Sequence, residues 1–545
     1  MARIDWSVLS GPRVSRRTLL SVAAASGVAG SASRLAAVDA APIQAAWTNR
    51  RAVAQGEPKP GGTLNLGFGI SQIPNLDPAK VNLGLVAGGM LPLIFSSLLQ
   101  FDSELGLVAD LAEDWTVSED GLNYSFTLRD GLTFHNGDPL KAEDIIFTYE
   151  RTIDPDFASP HANKLALVES VDTPDDLTVD FTLSAPFAPF LAVAFSRGPG
   201  RAMTPISRRA FEEMGEDQFD QTPVGAGPFA INAETADLSS GFELVAFDGW
   251  YGGRPLLDSI EVTLIGEPSS RISALEAGDV DMLDIVPAIG TAQVSENPDI
   301  TLVQLPGTSW EGLAMNWARP PWDNPEARMA VAKAINRDDL IQTAMFGLAT
   351  PSIGAIAPAF AWAYISPEET ENPQAFNLEE AKALAESSGI AGAAPTIMVF
   401  EDDQRPAEVL RNQLTDLGLD VQIEQLQQAA WNERWLAGDY DWIINGSVAD
   451  ADPDDGHWNF FATEGPWNSY GYENPEVNEL LIATRETSDQ DERAALFHEV
   501  QALLQQDVPH AFLYHTLDIT GFHNDVQGYV PIPELRHLET VWLDR

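Results

Sequence analysis

From Gly61 onward, short segments with a hydrophobic period of two alternate with segments that open on helix caps, and no block recurs at a fixed spacing. Thr63 to Phe68, Tyr124 to Arg129, Leu177 to Leu183 and Ile260 to Leu264 alternate as half-buried strands do. Asp130-Gly131, after the second of them, marks a turn. Asn324-Pro325-Glu326 and Asn474-Pro475-Glu476 each combine an N-cap, a proline at the first helical position and an acid in the first turn. Asn377-Leu378-Glu379-Glu380 opens a third helix, which should end near Gly389. Such interleaving excludes a solenoid and predicts a mixed α/β chain. At 545 residues, with 44% hydrophobic residues, 14 Trp and 25 Phe, there is apolar material for several cores in three or four domain-sized units.

The first forty residues read as an address rather than as fold. Ser15-Arg16-Arg17-Thr18-Leu19-Leu20 precedes a stretch of Leu, Val, Ala, Gly and Ser that is too short and too weakly apolar to anchor in a bilayer. Val38-Asp39-Ala40 before Ala41 offers a cleavage site. Residues 1–40 thus resemble a twin-arginine signal peptide, with 41–60 as a linker, which places the mature chain in the periplasm or outside the cell. With no cysteine anywhere, a lipoprotein anchor, disulfides, thiolate metal sites and thiol nucleophiles are all excluded. Eighty-one acidic against 31 basic residues give a net charge of −50, which repels nucleic acid and anionic lipid. Only six of the basic residues are Lys, a balance that suits a surface kept soluble in concentrated salt.

No nucleophile elbow, P-loop, H-E-x-x-H or G-x-G-x-x-G is present. Gly67-Phe68-Gly69 and Gly225-Ala226-Gly227-Pro228 read as turns. The spacings of His510, His515 and His523 fit no metal set, so the eight histidines are expected on the surface or hydrogen-bonded in cores. The main acidic cluster is Asp450-Ala451-Asp452-Pro453-Asp454-Asp455-Gly456. An EF-hand would need Gly where Asp455 stands and Glu where Phe461 stands, so that reading fails. A looser calcium site, a solvated loop and a carboxylate anchor for a ligand ammonium remain open. Trp442, Trp458, Phe460, Phe461 and Trp467 flank the cluster, and aromatic walls beside a carboxylate suit a cationic or amphipathic solute. Asp452 and Asp454 are also the one candidate pair for a secreted acidic hydrolase.

Longer stretches carry a family resemblance. Gly61-Gly62-Thr63-Leu64 is followed by Asn75-Leu76-Asp77-Pro78-Ala79, then Leu111-Ala112-Glu113-Asp114-Trp115. Next come Gly131-Leu132-Thr133-Phe134-His135-Asn136-Gly137, Ala142-Glu143-Asp144-Ile145 and Val224-Gly225-Ala226-Gly227-Pro228-Phe229. Ala327 to Arg337 looks like a helix of the second lobe. In this order they resemble the family 5 solute-binding proteins of ABC importers, the peptide-, dipeptide- and nickel-binding group.

The resemblance implies an α/β, two-lobed periplasmic-binding-protein-like fold of the large peptide-binding type. Lobe one would hold residues 61–300, with an extra subdomain inserted near 95–222. Lobe two would hold 301–508, and 509–545 would return to lobe one. Gln304 to Asn316 and Pro509 to Thr516 would cross between them. It implies no catalysis and no cofactor, a monomer that encloses a peptide-like solute, and an ABC permease as partner. A metal chelate, an opine or another cationic solute is the alternative cargo. Asp450 stands where the peptide-binding branch places the acid that holds the ligand's amino terminus, and Ser447 stands where that branch has Trp. The dipeptide branch has a carboxylate-clamping Arg after a lobe-two strand. Here the strand Thr396 to Phe400 is followed by Glu401-Asp402-Asp403, with Arg405 off position. Trp310, Phe68 and Ile70 are expected as cleft walls or as core.

Overall fold

The computed structural model describes residues 57–399, 403–447 and 451–545. The expected signal peptide and most of the linker lie outside these residues. The helix caps form as their residue types dictate. Asn324, Asn377 and Asn474 accept backbone N–H groups in the first turns of Pro325–Ala334, Leu378–Ser388 and Pro475–Glu486, and Gly389 closes the second in the left-handed conformation. The expected helix from Ala327 to Arg337 is instead two helices. The first ends at Ala334, and Asn336 caps the second, Arg337–Ala344, by accepting the Asp339 N–H at 3.1 Å. An Asn that can serve its own helix start competes with continuation of the previous one.

One mixed sheet runs through the molecule. Its order is Gln422–Gln425, Thr396–Val399, Trp442–Ser447, Trp310–Met315, His510–His523, Met282–Leu283, Thr63–Phe68, Ser259–Leu264, Gly241–Ala246 and Phe229–Ile231. Helices join parallel strands that are neighbours or flank a common strand. Pro268–Ala277 lies between Ser259–Leu264 and Met282–Leu283 in the chain, and Gln404–Leu414 lies between Thr396–Val399 and Gln422–Gln425. Gly67, expected in a turn, is inside the first strand, where a Cβ would fall 2.7 Å from the Leu283 side chain. It lets the neighbouring strand's side chain close in.

The long strand His510–His523, spanning about 45 Å, ties the two ends of the sheet together. Its C-terminal part pairs with Ile300–Pro306, and its N-terminal part pairs with Trp310–Met315. Side chains alternate across the sheet into separate cores. Leu313, Met315, Ile397, Val399, Trp442, Ile444 and Leu513 face one way, while Trp310, Ala314, Met398, Ile443 and Phe512 face the other. At the opposite end, Leu64, Leu66, Phe68, Ile260, Val262 and Met282 build a third core.

A second sheet, Ala112–Val117, Asn123–Leu128, Thr178–Leu183 and Val168–Asp175, is antiparallel throughout and carries its own core of Phe126, Phe181, Phe190 and Phe195. Two of the motifs quoted above dock on each other here. The His135 N–H donates to the Gly225 carbonyl at 2.9 Å, and His135 Nε2 lies 3.1 Å from the Gly227 carbonyl. A Cβ on Gly225 would sit 2.2 Å from the Ile94 carbonyl oxygen, so this glycine serves close backbone packing.

Candidate functional site

A cavity of about 570 Å³ separates the antiparallel-sheet module from the half of the molecule that contains Trp310–Met315. Phe101, Leu105, Tyr124 and Phe187 line it from one side, and Phe360, Trp362, Asp452 and Arg493 from the other. Its size matches pockets that take small solutes. Beside it the two sides touch. The Ala188 N–H donates to the Arg485 carbonyl at 2.6 Å, and the Arg485 guanidinium lies 5.2 Å from the Phe187 ring centre. Leu105, at a hairpin tip, packs on Ile356, Phe360 and Phe497 of the other side.

From Ala451 onward the acidic segment is held by specific partners rather than left to solvent. Asp452 caps the helix Pro453–Phe461, accepting the Asp454 N–H at 2.9 Å. It also takes a bidentate ion pair from Arg493 at 2.7 and 2.6 Å. Asp454 is paired in the same way with Arg485, at 2.8 and 2.7 Å. The two carboxylates proposed as a hydrolase pair are therefore each committed to a separate guanidinium. Asp455 accepts the Ala451 N–H at 3.3 Å. Among the described residues, no three His, Asp or Glu side chains group as metal ligands.

Of the expected site residues, Asp450, Glu401 and Asp402 lie outside the described residues. Phe68 and Trp310 are fully buried core residues and offer no surface to a cleft. Phe68 closes on Gly89, where a Cβ would fall 2.6 Å from its ring. Trp310 sits in a ring cluster with Phe460, Phe461, His510 and Phe512 at centroid distances of 5.0–5.6 Å. Ser447, buried, ends its strand directly opposite Trp310. Ile70 is partly accessible at the edge of the core built around Leu64, Leu66 and Phe68. Arg405 lies 4.4 Å over the Phe346 ring.

Seven of the eight histidines are hydrogen-bonded in or near cores, and the eighth, His537, is buried with its Nδ1 3.8 Å from Glu539. His510 Nε2 meets Asn445 Oδ1 at 2.9 Å and His515 Nδ1 meets the Ser309 carbonyl at 3.2 Å; burial pushes them down to about 3 and about 4. Sequence reasoning missed one feature. Glu311 pairs in register with Tyr514, and burial, then the like charge of Asp403, holds its carboxyl well above the ordinary range. Tyr514 is raised by burial, Glu311 and Asp403, in that order. A glutamate in phase with Leu313 and Met315 on an otherwise apolar strand was the signal available.

Comparisons with known proteins fit this architecture. The family described as bacterial extracellular solute-binding proteins, family 5, matches residues 106–469, more than half of the chain. The glutathione-binding protein GsiB of Salmonella typhimurium is 28% identical over 483 residues, covering 83% of this chain and 90% of that protein. The periplasmic binding protein DppA of Helicobacter pylori, solved with the peptide STSA, superposes with a TM-score of 0.78 at 26% identity, covering 90% of this chain and 99% of that one. AgaA of A. tumefaciens R10, solved with agropinic acid, superposes at 0.75 with 25% identity over 89% and 99%. The chain has the two-lobed fold and belongs to the family 5 bacterial extracellular solute-binding proteins.

Proposed function

We propose that the protein captures a peptide or peptide-like solute with a free amine between its lobes and delivers it to an ABC permease. The observation that carries this reading is the cavity of about 570 Å³ walled by both sides of the molecule, with Ala451, the residue after Asp450, on its wall. The lobe boundaries belong to the same reading: 61–300 and 509–545 for one, 301–508 for the other, with a subdomain inserted near 95–222. Separate cores at the two ends of the sheet support that division.

Asp450 is the proposed anchor of the ligand ammonium, a charge-assisted contact. Asp450→Asn is expected to weaken binding of an amine-bearing peptide about 10- to 100-fold. The same peptide with an acetylated amine should bind the wild type weakly and lose nothing further in the variant. Calorimetric titration of both peptides into both proteins reads this directly. Equal affinity of wild type and Asp450→Asn for the free-amine peptide would remove the anchor.

A cationic solute without a free carboxylate is the second reading. It is favoured by Glu311 and Asp403, two carboxyls close enough to interact near the end of the strand Thr396–Val399, where the dipeptide branch has its arginine clamp: a cation held there would offset the burial and the neighbouring acid that disfavour ionised Glu311. The cavity wall adds Glu119, Asp120 and Glu486, while Arg493, the one cation among the described lining residues, is already held by Asp452.

A further inference from the structure

Two strands carry the chain from one half of the sheet to the other, and Gly307-Thr308-Ser309 separates them where the long strand changes partner. Glu534 grips this tripeptide. Its Oε1 accepts the Thr308 N–H at 2.9 Å and the Ser309 hydroxyl at 2.8 Å, and its Oε2 accepts the Thr308 hydroxyl at 3.1 Å. The Gly307 N–H donates to the Thr516 carbonyl of the other crossing at 3.0 Å. Both crossings and one half-buried carboxylate thus meet at a single point.

Glu534 is itself fixed to lobe one. Its φ is +60°, a left-handed conformation that is strained for a non-glycine residue and persists where surroundings over-determine it. Its N–H donates to Asp518 Oδ2 at 2.7 Å. Asp518 is held bidentately by Arg536, which also donates to the Asp284 carbonyl at 3.0 and 2.7 Å. A Cβ on Gly88 would fall 2.2 Å from the Glu534 carbonyl oxygen, so the backbone around it has no room to shift.

We propose that Glu534 is the positioning residue of the hinge: its carboxylate holds Gly307–Ser309 as they are when the lobes touch, and so sets how readily the solute site opens. The inference rests on the carrier reading only in that a solute uses this opening. Residues on either side of the tripeptide are locked in strand pairs, so a lobe rotation must turn the backbone at 307–309. That turn carries the Thr308 N–H and the Ser309 hydroxyl away from a carboxylate anchored on lobe one. Hydrogen bonds to a charged acceptor are about twice as strong as neutral ones. A half-buried carboxylate stripped of donors has to find water in their place.

The test uses the absence of cysteine. Spin labels on Asp172→Cys and Glu386→Cys, exposed positions on opposite lobes, report the distance between lobes. Labels on Asp172→Cys and Glu212→Cys, both on lobe one, report its internal geometry. Distances are measured without any solute in the wild type, Glu534→Gln and Glu534→Ala. The ratio of short to long interlobe distances is expected to fall about tenfold in Glu534→Ala, the weight of one charge-assisted hydrogen bond, with Glu534→Gln between and the control pair unchanged. Identical interlobe distributions in all three proteins would overturn the inference, as would a change that the control pair shares. Should the alanine variant fail to fold, Glu534→Gln against wild type decides alone. No solute enters the measurement, so a failed search for cargo leaves its outcome intact.

Discussion

Arg493→Leu is expected to lower the unfolding free energy by about 3–5 kcal/mol, the usual cost of removing one partner of a buried ion pair. Arg493 is 6% exposed and Asp452 7%. The guanidinium gives two donors to the carboxylate and a third to the Thr484 carbonyl at 2.8 Å. Without it, Asp452 keeps its place as helix cap but carries an uncompensated charge, and the Thr484 carbonyl loses its donor. The exposed pair of Arg208 and Glu212, 2.8 Å apart on one helix face, supplies the contrast. Arg208→Ala should change stability by no more than about 0.5 kcal/mol. Denaturant titration of the three proteins at pH 7 measures both effects. A loss below 1 kcal/mol for Arg493→Leu would mean that water reaches Asp452 and that the cavity wall is not built as described.

Trp310→Ala should cost a similar amount, about 3–5 kcal/mol. The indole is fully buried, stacks on Phe461 at 27° and meets Phe460, His510 and Phe512 edge-on. Its Nε1 has no hydrogen-bond partner among the described residues, so packing rather than polar contact gives the side chain its weight. Trp310→Phe should therefore recover more than half of the loss seen with alanine. A phenylalanine variant as unstable as the alanine one would point to a hidden polar role for the indole.

Much of this architecture can be read before any coordinates, and the exceptions have physical causes. Asn324, Asn377 and Asn474 declare helix starts because capping is local: the side chain reaches backbone two or three residues on. The strand at 63–68 shows because alternate residues face a core and are apolar. Asn336 was harder, since an asparagine inside an apolar helix pattern reads equally as an interior polar residue or as a new cap. Gly67 misled because the glycine that opens a turn and the glycine that admits a neighbour's side chain look alike in one chain. In the site, Phe68 and Trp310 are as apolar as cleft walls would be, and only packing against Gly89 and Phe461 tells that they are core. The ion pairs of Asp452 with Arg493 and of Asp454 with Arg485 join residues 41 and 31 apart, a separation at which sequence carries no pairing signal. Glu534 contacts a tripeptide more than 220 residues away and was invisible for the same reason.

The carrier account is tested most directly by calorimetric titration of the protein with glutathione, the peptide STSA and alanine peptides of two to eight residues, with the radius of gyration followed by X-ray scattering. It predicts that at least one of them binds saturably, one molecule per chain, and that the bound protein is more compact than the free one. A folded protein that binds none of them, or binds one with no change in compactness, would contradict it.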